Sequence, residues 1–378
     1  MKFKTKEILF FIGFFILTLS KYISNIALLK SINNHRLIVD AIGIFLIIVY
    51  LAQRRNFSWK VVILLSIGVI NFLMVRDSTL LTFVTILLAL KNITVDKIIQ
   101  YYYKINAFIL TICTLMYPVL LKINLVSTSF ISGRERYTFL FNHPNTYSIT
   151  FVFVFLAYIY LDKEKISNIR IIITCIFAII YLYIFPKTIT AVISLLVFLT
   201  LFVFTQYFKY IRKYVLKFAL PIFTILCITT IYSFYYNLDI PIIRNYISGT
   251  FEIRFVDAAY ALKYYKLSLF GTLINDLGSL VYRDGNWVSH WLDLGYIRAL
   301  FNYGILGFVL YLICLTRAFY NYIKNKQYFI VILITVVIIY GLSEWGAFDI
   351  ITAFPLLFLY IGLLSKKKLM KCNSRGNI

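Results

Sequence analysis

Three clusters of ionisable and aromatic residues interrupt an otherwise apolar chain, and each has residue types suited to a charged, hydroxylated ligand. The first reads Gly133-Arg134-Glu135-Arg136, then Phe141-Asn142-His143-Pro144-Asn145-Thr146. Pro144 suits the first turn of a helix, where a missing N–H costs nothing, and Asn142 or His143 can cap the free amides. Such a helix end attracts anions. Arg134, Arg136, His143 and Asn145 are therefore read as binding a phosphorylated ligand, the alternative being a plain helix start flanked by snorkelling arginines.

The second cluster, Phe251 to Leu262, follows Ser248-Gly249-Thr250. Phe251, Phe255, Ala258 and Leu262 recur at helical spacing, while Arg254 and Asp257 stand three apart on another face. The pattern predicts an amphipathic helix lying in the membrane interface. Its charged pair is either a surface salt bridge worth a few tenths of a kcal/mol, or an arginine aimed into a cavity with Glu252 or Asp257 as a base. The third cluster runs from Arg283 to Arg298 and holds Trp287, His290, Trp291, Asp293 and Tyr296. Its tryptophans fit an aromatic belt. Aromatic faces beside His290, Asp293 and Arg298 also suit a sugar, whose C–H face packs on a ring while its hydroxyls take charge-assisted hydrogen bonds. Lys187, in the turn Pro186-Lys187-Thr188, is within reach of the same cavity. Lys21 reads as a snorkelling residue, Glu344 and Asp349 as bordering a late turn, and Tyr101-Tyr102-Tyr103 as an inner aromatic belt.

The elements that must position these clusters follow from composition. The 378 residues are 61% hydrophobic and 14% charged, yet carry 38 Lys+Arg against 15 Asp+Glu, a net charge of +23. Globular domains average roughly 45–50% apolar and about 25% charged residues. This disfavours a disordered chain, a nucleic-acid-binding globule and a cytosolic enzyme. An all-α polytopic membrane protein remains. About 20 apolar residues cross the ~30 Å hydrocarbon layer as a helix. Apolar runs at 8–29, 37–52, 61–75, 78–90, 105–121, 146–161, 169–185, 188–205, 215–236, 294–315, 328–342 and 352–364 predict about twelve spans in one membrane domain covering 1–378. The short pair around Arg76-Asp77 could instead form a re-entrant hairpin.

With the N-terminus inside, nearly all of the excess positive charge falls on inner segments, among them 91–104, 316–327 and the basic tail 365–378. Outer cations and acids almost cancel. This asymmetry follows the positive-inside rule and places both termini in the cytoplasm. Two outer segments exceed simple turns, 122–145 and 237–293, and long loops carry function disproportionately. No phosphate-binding glycine loop appears, and the five cysteines have neither CxxC nor metal-type spacing, so no metal, cofactor or disulfide framework is expected.

Together these features resemble Wzy-type bacterial polysaccharide polymerases of the O-antigen polymerase and ligase superfamily. The resemblance rests on Asn142-His143-Pro144-Asn145 in a small outer loop, a large outer loop with Arg254 soon after a Ser-Gly, and Asp293, Tyr296, Gly304 and Gly307 entering a late span. Leu294 departs from the usual Asn, and the Arg-x10-Gly repeats of some members are absent. Asp293 stands where the ligase branch has a His, which argues for a polymerase. The resemblance implies a GT-C-like glycosyltransferase of the bacterial cell membrane, acting at its outer face without a metal. Its substrate would be an undecaprenyl-diphosphate-linked oligosaccharide, its surroundings membrane lipid, and its partners flippase and chain-length regulator proteins, with no nucleic acid. Arg134, Arg136, Arg254 or Arg298 would steady the diphosphate, and Asp293, Asp257, Glu252 or His290 would take the acceptor proton. An O-antigen ligase, and a lipid-linked oligosaccharide flippase or secondary transporter, remain alternatives.

Overall fold

The computed structural model describes residues 7–29, 35–53, 58–126, 128–131, 134–208, 250–275, 277, 280–283, 286–289 and 292–363, with scattered residues between 210 and 232. They form the helices α1 (Ile8–Asn25), α2 (Arg36–Gln53), α3 (Trp59–Val75), α4 (Thr79–Ala89), α5 (Val95–Lys122), α6 (Pro144–Asp162), α7 (Asn168–Ile184), α8 (Ile189–Tyr207), α9 (Thr250–Tyr264), α10 (Gly295–Lys324) and α11 (Tyr328–Tyr340). Two 3₁₀ segments follow, Trp345–Phe348 and Phe354–Leu363. Among the described residues the only strands are two antiparallel hairpins, β1 (Ser129–Ile131) with β2 (Arg134–Arg136), and β3 (Leu280–Arg283) with β4 (Asn286–Ser289). Each hairpin sits in one of the two long loops.

Six helices, α1, α2, α5, α6, α8 and α10, are long and apolar enough to cross a membrane. Helices α2 and α5 and their neighbours α3 and α7 turn apolar side chains outward: Ile38, Phe45, Leu73, Phe108, Leu115 and Phe177 are 61–69% exposed. Contiguous apolar surface of this kind needs lipid to cover it, and the chain is a membrane-embedded helical protein. Five shorter apolar helices coincide with further predicted runs, and the run 215–236 lies largely outside the described residues. Two of the short helices form the centre. All 11 residues of α4 are buried, as is α11 from Ile330 to Tyr340. At 1.5 Å per residue α4 is about 17 Å long, well short of the hydrocarbon thickness. It packs inside the protein because it cannot reach both interfaces.

Two segments expected as inner loops are helical instead: α5 begins at Val95, within 91–104, and α10 continues through 316–327 as far as Lys324. The side chains explain both. Tyr102 is not a belt residue, because it is fully buried and its hydroxyl donates to the Thr352 carbonyl at 2.6 Å. Phe319, Tyr322 and Ile323 are likewise buried and draw the end of α10 into the bundle. Elsewhere small residues allow close helix contact. A Cβ on Gly13 of α1 would stand 2.7 Å from the Gly43 carbonyl of α2, so the two backbones touch there as membrane helices commonly do.

The long helix α10 is broken at Gly304, whose φ of 69° and ψ of 174° leave the helical region. The segment before the hairpin β3–β4 fills the break. Ile305 and Leu306 donate their amides to the carbonyls of Ser268 and Leu269, Thr272 donates to Phe301, and the Asn71 side chain donates to the carbonyls of Phe270 and Asn302 at 2.6 Å. Freed backbone groups at membrane depth must be satisfied within the protein, and these bonds do so. A Cβ on Gly304 would lie 2.2 Å from the Gly271 amide nitrogen. Gly304→Ala is therefore expected to cost about 2–6 kcal/mol from backbone strain and overpacking combined. The expected outcome is a large fall in membrane-inserted, monodisperse protein, measured by fluorescence-detected size exclusion in detergent; wild-type yield and elution would contradict it.

A small apolar cluster of Ala258, Ala261, Ile274, Leu292, Leu294, Ile297 and Phe301 fastens α9 to the start of α10. On α9, Arg254, Asp257, Ala258 and Ala261 are buried at 6, 2, 0 and 0% exposure, so the charged pair points into the protein instead of forming a surface salt bridge.

Candidate functional site

At one end of the bundle a cavity of about 700 Å³ opens between α1, α2, the α3–α4 turn, α6, the start of α10 and the segment after α11. It is lined by Lys21, Arg36, Asp77, His143, Asp293, Arg298 and Glu344, seven titratable side chains in a chain with few, together with Asn142, Asn145, Thr146 and Trp345. Its size falls within the usual range for ligand sites.

Glu344 is the most closely held of these groups. Its Oε1 accepts from Asn145 Nδ2 at 2.7 Å and from Arg254 Nη2 at 2.9 Å. Both bonds fall on the same oxygen, which leaves the lone pairs of Oε2 for a ligand. Burial raises the Glu344 carboxyl from its ordinary value to about 7, with Asp293 adding to the effect while Arg254 and Asn145 oppose it. Arg254 also lies 3.8 Å from Asp293, whose side chain is 40% exposed at the rim. The two carboxylates thus differ in kind, one desolvated and near neutrality, the other wet.

His143 caps α6 as its residue type suggests, with Nδ1 accepting from the Asn145 amide at 3.2 Å and Pro144 following at the first helical position. Partial burial lowers the imidazole below its usual value, Arg136 and Arg254 adding to this and Asp293 opposing it. The ring is a neutral acceptor and donor there, not a cation. Arg298 stacks its guanidinium 5.5 Å from the Trp345 ring and interacts with Asp77, Asp293 and Glu344, against repulsion from Arg36. On the floor, Lys21 pairs with Asp349 at 2.6 Å, Arg36 approaches Asp40 at 3.6 Å, and Ser78 donates to Asp40 at 2.6 Å. The Nε atoms of Arg36 and Arg298 are buried without a hydrogen-bond partner among the described residues. Arg298, with its unused buried donor, and Arg36, whose Nε lies 3.6 Å from the Asp40 carboxylate, repel each other and make a place for an anion.

Of the residues singled out from sequence, His143, Asn145, Asp293 and Arg298 line the cavity, and Arg254 enters it through Glu344. Arg136 on β2 stands close enough to act on His143. Three are placed elsewhere. Asp257 is buried on α9 and Lys187 sits half-buried in the α7–α8 turn, neither lining the cavity. Tyr296 donates its hydroxyl to the Ile338 carbonyl at 3.0 Å and packs edge-on against Phe348, a structural role. His290 and Trp291 lie outside the described residues, as do the side chains of Arg134 and Glu252.

Glu344, Trp345, Arg36, Asp77 and Lys21 were not singled out as site residues. The available signal was that each is an ionisable or aromatic group at the edge of an apolar run, where such groups are costly unless used. Among the described residues no group of three or more His, Cys, Asp or Glu is placed to hold a metal. On its opposite side α6 walls an aromatic groove of about 420 Å³ with α5 and α7, lined by Tyr103, Phe151, Phe155 and Tyr181. The chain matches no protein-family model, no curated protein and no solved structure.

Proposed function

We propose that this protein is a GT-C-like polysaccharide polymerase that transfers a growing glycan from undecaprenyl diphosphate to the next lipid-linked repeat unit at the outer face of a bacterial cell membrane. The observation that carries the reading is Glu344, a carboxyl with a pKa of about 7 fixed through one oxygen by Arg254 and Asn145, in a cavity that also presents Arg36 and Arg298. Glu344 Oε2 takes the proton of the acceptor hydroxyl as that oxygen bonds to the anomeric carbon of the donor glycan. The bond from that carbon to the diphosphate breaks, and undecaprenyl diphosphate leaves with both electrons of the bond. A general base tuned near the working pH suits this step. Arg36 and Arg298 steady the charge that develops on the leaving group, and the aromatic groove beside α6 accommodates apolar chain. Asp293 orients Arg254 from the rim.

The deciding experiment is a deletion strain analysed for lipid-linked material. Loss of the polymerase leaves single repeat units on the outer leaflet. A second reading, a flippase or secondary transporter, draws support from the half-buried pairs Lys21–Asp349 and Arg36–Asp40 at the cavity floor; it predicts precursor on the inner leaflet. Full-length polysaccharide that stays lipid-linked in the deletion strain points to a ligase instead.

A further inference from the structure

A second cavity, of about 500 Å³, lies beside the first, and Asn142 lines both. Its walls come from Ala27 and Leu28 after α1, from residues 124–126 after α5, from Ser129 on β1 and from the turn 138–142. The lining differs in kind from the neighbouring site. Its polar groups are the amides of Asn124 and Asn142 and the hydroxyls of Thr128, Ser129 and Thr138, and no charged residue lines it. Aliphatic side chains and Phe141 supply the rest.

Two observations show that this space is built. The Ser129 hydroxyl is buried with no hydrogen-bond partner among the described residues, which costs about 1–3 kcal/mol unless a ligand satisfies it. The wall is also held in a strained shape. Phe139 and Leu140 adopt φ of 49° and 70°, in the left-handed region that bulky residues avoid. The turn is pinned to the end of α1 by Ala27 N–H to the Leu140 carbonyl at 2.8 Å, Asn142 N–H to the Asn25 carbonyl at 2.7 Å and the Asn142 side chain to the Ser24 carbonyl at 2.8 Å. Strain of this kind persists only where surrounding contacts over-determine it, and it clusters at ligand sites.

The lining decides among ligand classes. A phosphate would meet no cation here, and a prenyl chain would bury five polar side chains without partners. An uncharged sugar matches both halves, with hydroxyls to the amides and hydroxyls and C–H faces to the apolar wall. We infer that this cavity binds a neutral sugar of the glycan, one residue removed from the sugar that carries the diphosphate beyond Asn142. The inference rests on the polymerase reading for the identity of the glycan, and on the cavity's own chemistry for the site.

The test uses full-length protein in nanodiscs, titrated with the phosphate-free oligosaccharide that mild acid releases from the producing cells' lipid-linked material. Wild type and Arg298→Ala are expected to bind it within about threefold of each other. Ala27→Trp, which fills the cavity, and the milder Ser129→Leu are expected to weaken binding at least tenfold while eluting as monodisperse protein. Wild-type binding in both filling variants, no binding to wild type, or an equal loss in Arg298→Ala overturns the inference. If the deletion strain still makes long polysaccharide while the filling variants still lose the oligosaccharide, the polymerase reading falls and the sugar site stands.

Discussion

Glu344→Gln is expected to abolish long polysaccharide while leaving the protein folded. The amide can still accept from Asn145 or Arg254 and fills the same space, so the geometry around Oε1 survives; what disappears is the ability to take a proton. General-base catalysis contributes about 10²–10⁴-fold, so turnover should fall by that factor with little change in substrate affinity. Reconstituted polymerisation read by gel chain length gives the rate. The pH profile supplies a second readout. With its carboxyl raised to about 7, Glu344 is protonated and inactive below that pH, so the wild-type rate should climb as pH rises through about 7 and be about a hundredfold lower at pH 5 than on the plateau. In Glu344→Gln that limb should vanish. A variant with normal chain lengths, or a wild-type profile flat between pH 5 and 8, removes Glu344 as the base.

Arg254→Ala has the second-largest expected effect, through two routes. Arg254 is buried and bridges Glu344 and Asp293, so its removal strips a preorganised cation from the site and should cost about 10²–10³ in turnover. It also leaves Glu344 desolvated without its main stabilising charge, and taking away one partner of a buried pair costs about 3–5 kcal/mol of stability. Because Arg254 opposes the rise in the Glu344 pKa, the rising limb of the pH profile should move above 7. Arg254→Lys keeps the charge but lacks the fork that reaches both carboxylates, and should recover only part of the rate. An unshifted limb together with an unchanged rate in Arg254→Ala would place this arginine outside the chemistry.

Much of the helical layout was legible because a membrane span announces itself by length and apolarity, independently of its neighbours. Where the chain departs from the expected boundaries, at Val95 and between Thr316 and Lys324, the bundle takes as core residues that local pattern assigns to an inner belt or loop: Tyr102, Phe319 and Tyr322 are all fully buried. On α9, Ala258 and Leu262 of the periodic stripe pack at the start of α10 as their spacing suggests, but only the tertiary contact shows that Arg254, Asp257 and Ala261 are buried as well. Gly304 and Gly307 were visible as a motif, but only the packed loop at Gly271 shows why a side chain cannot stand at the first of them.

The candidate site divides the same way. Local sequence was enough to determine that His143 and Pro144 start a helix, that the chain belongs in a membrane, and that polar chemistry gathers near residues 134–145 and 293–298, since capping, burial of apolar runs and the cost of intramembrane charge all act over a few residues. Which charges meet was decided by tertiary structure alone. Glu344 stands 90 positions from Arg254 and 199 from Asn145, and no short-range pattern relates groups at such separations. Their convergence depends on how α6, α9, α10 and α11 pack, and the pKa that suits Glu344 to its proposed role is a property of the desolvated space which that packing encloses.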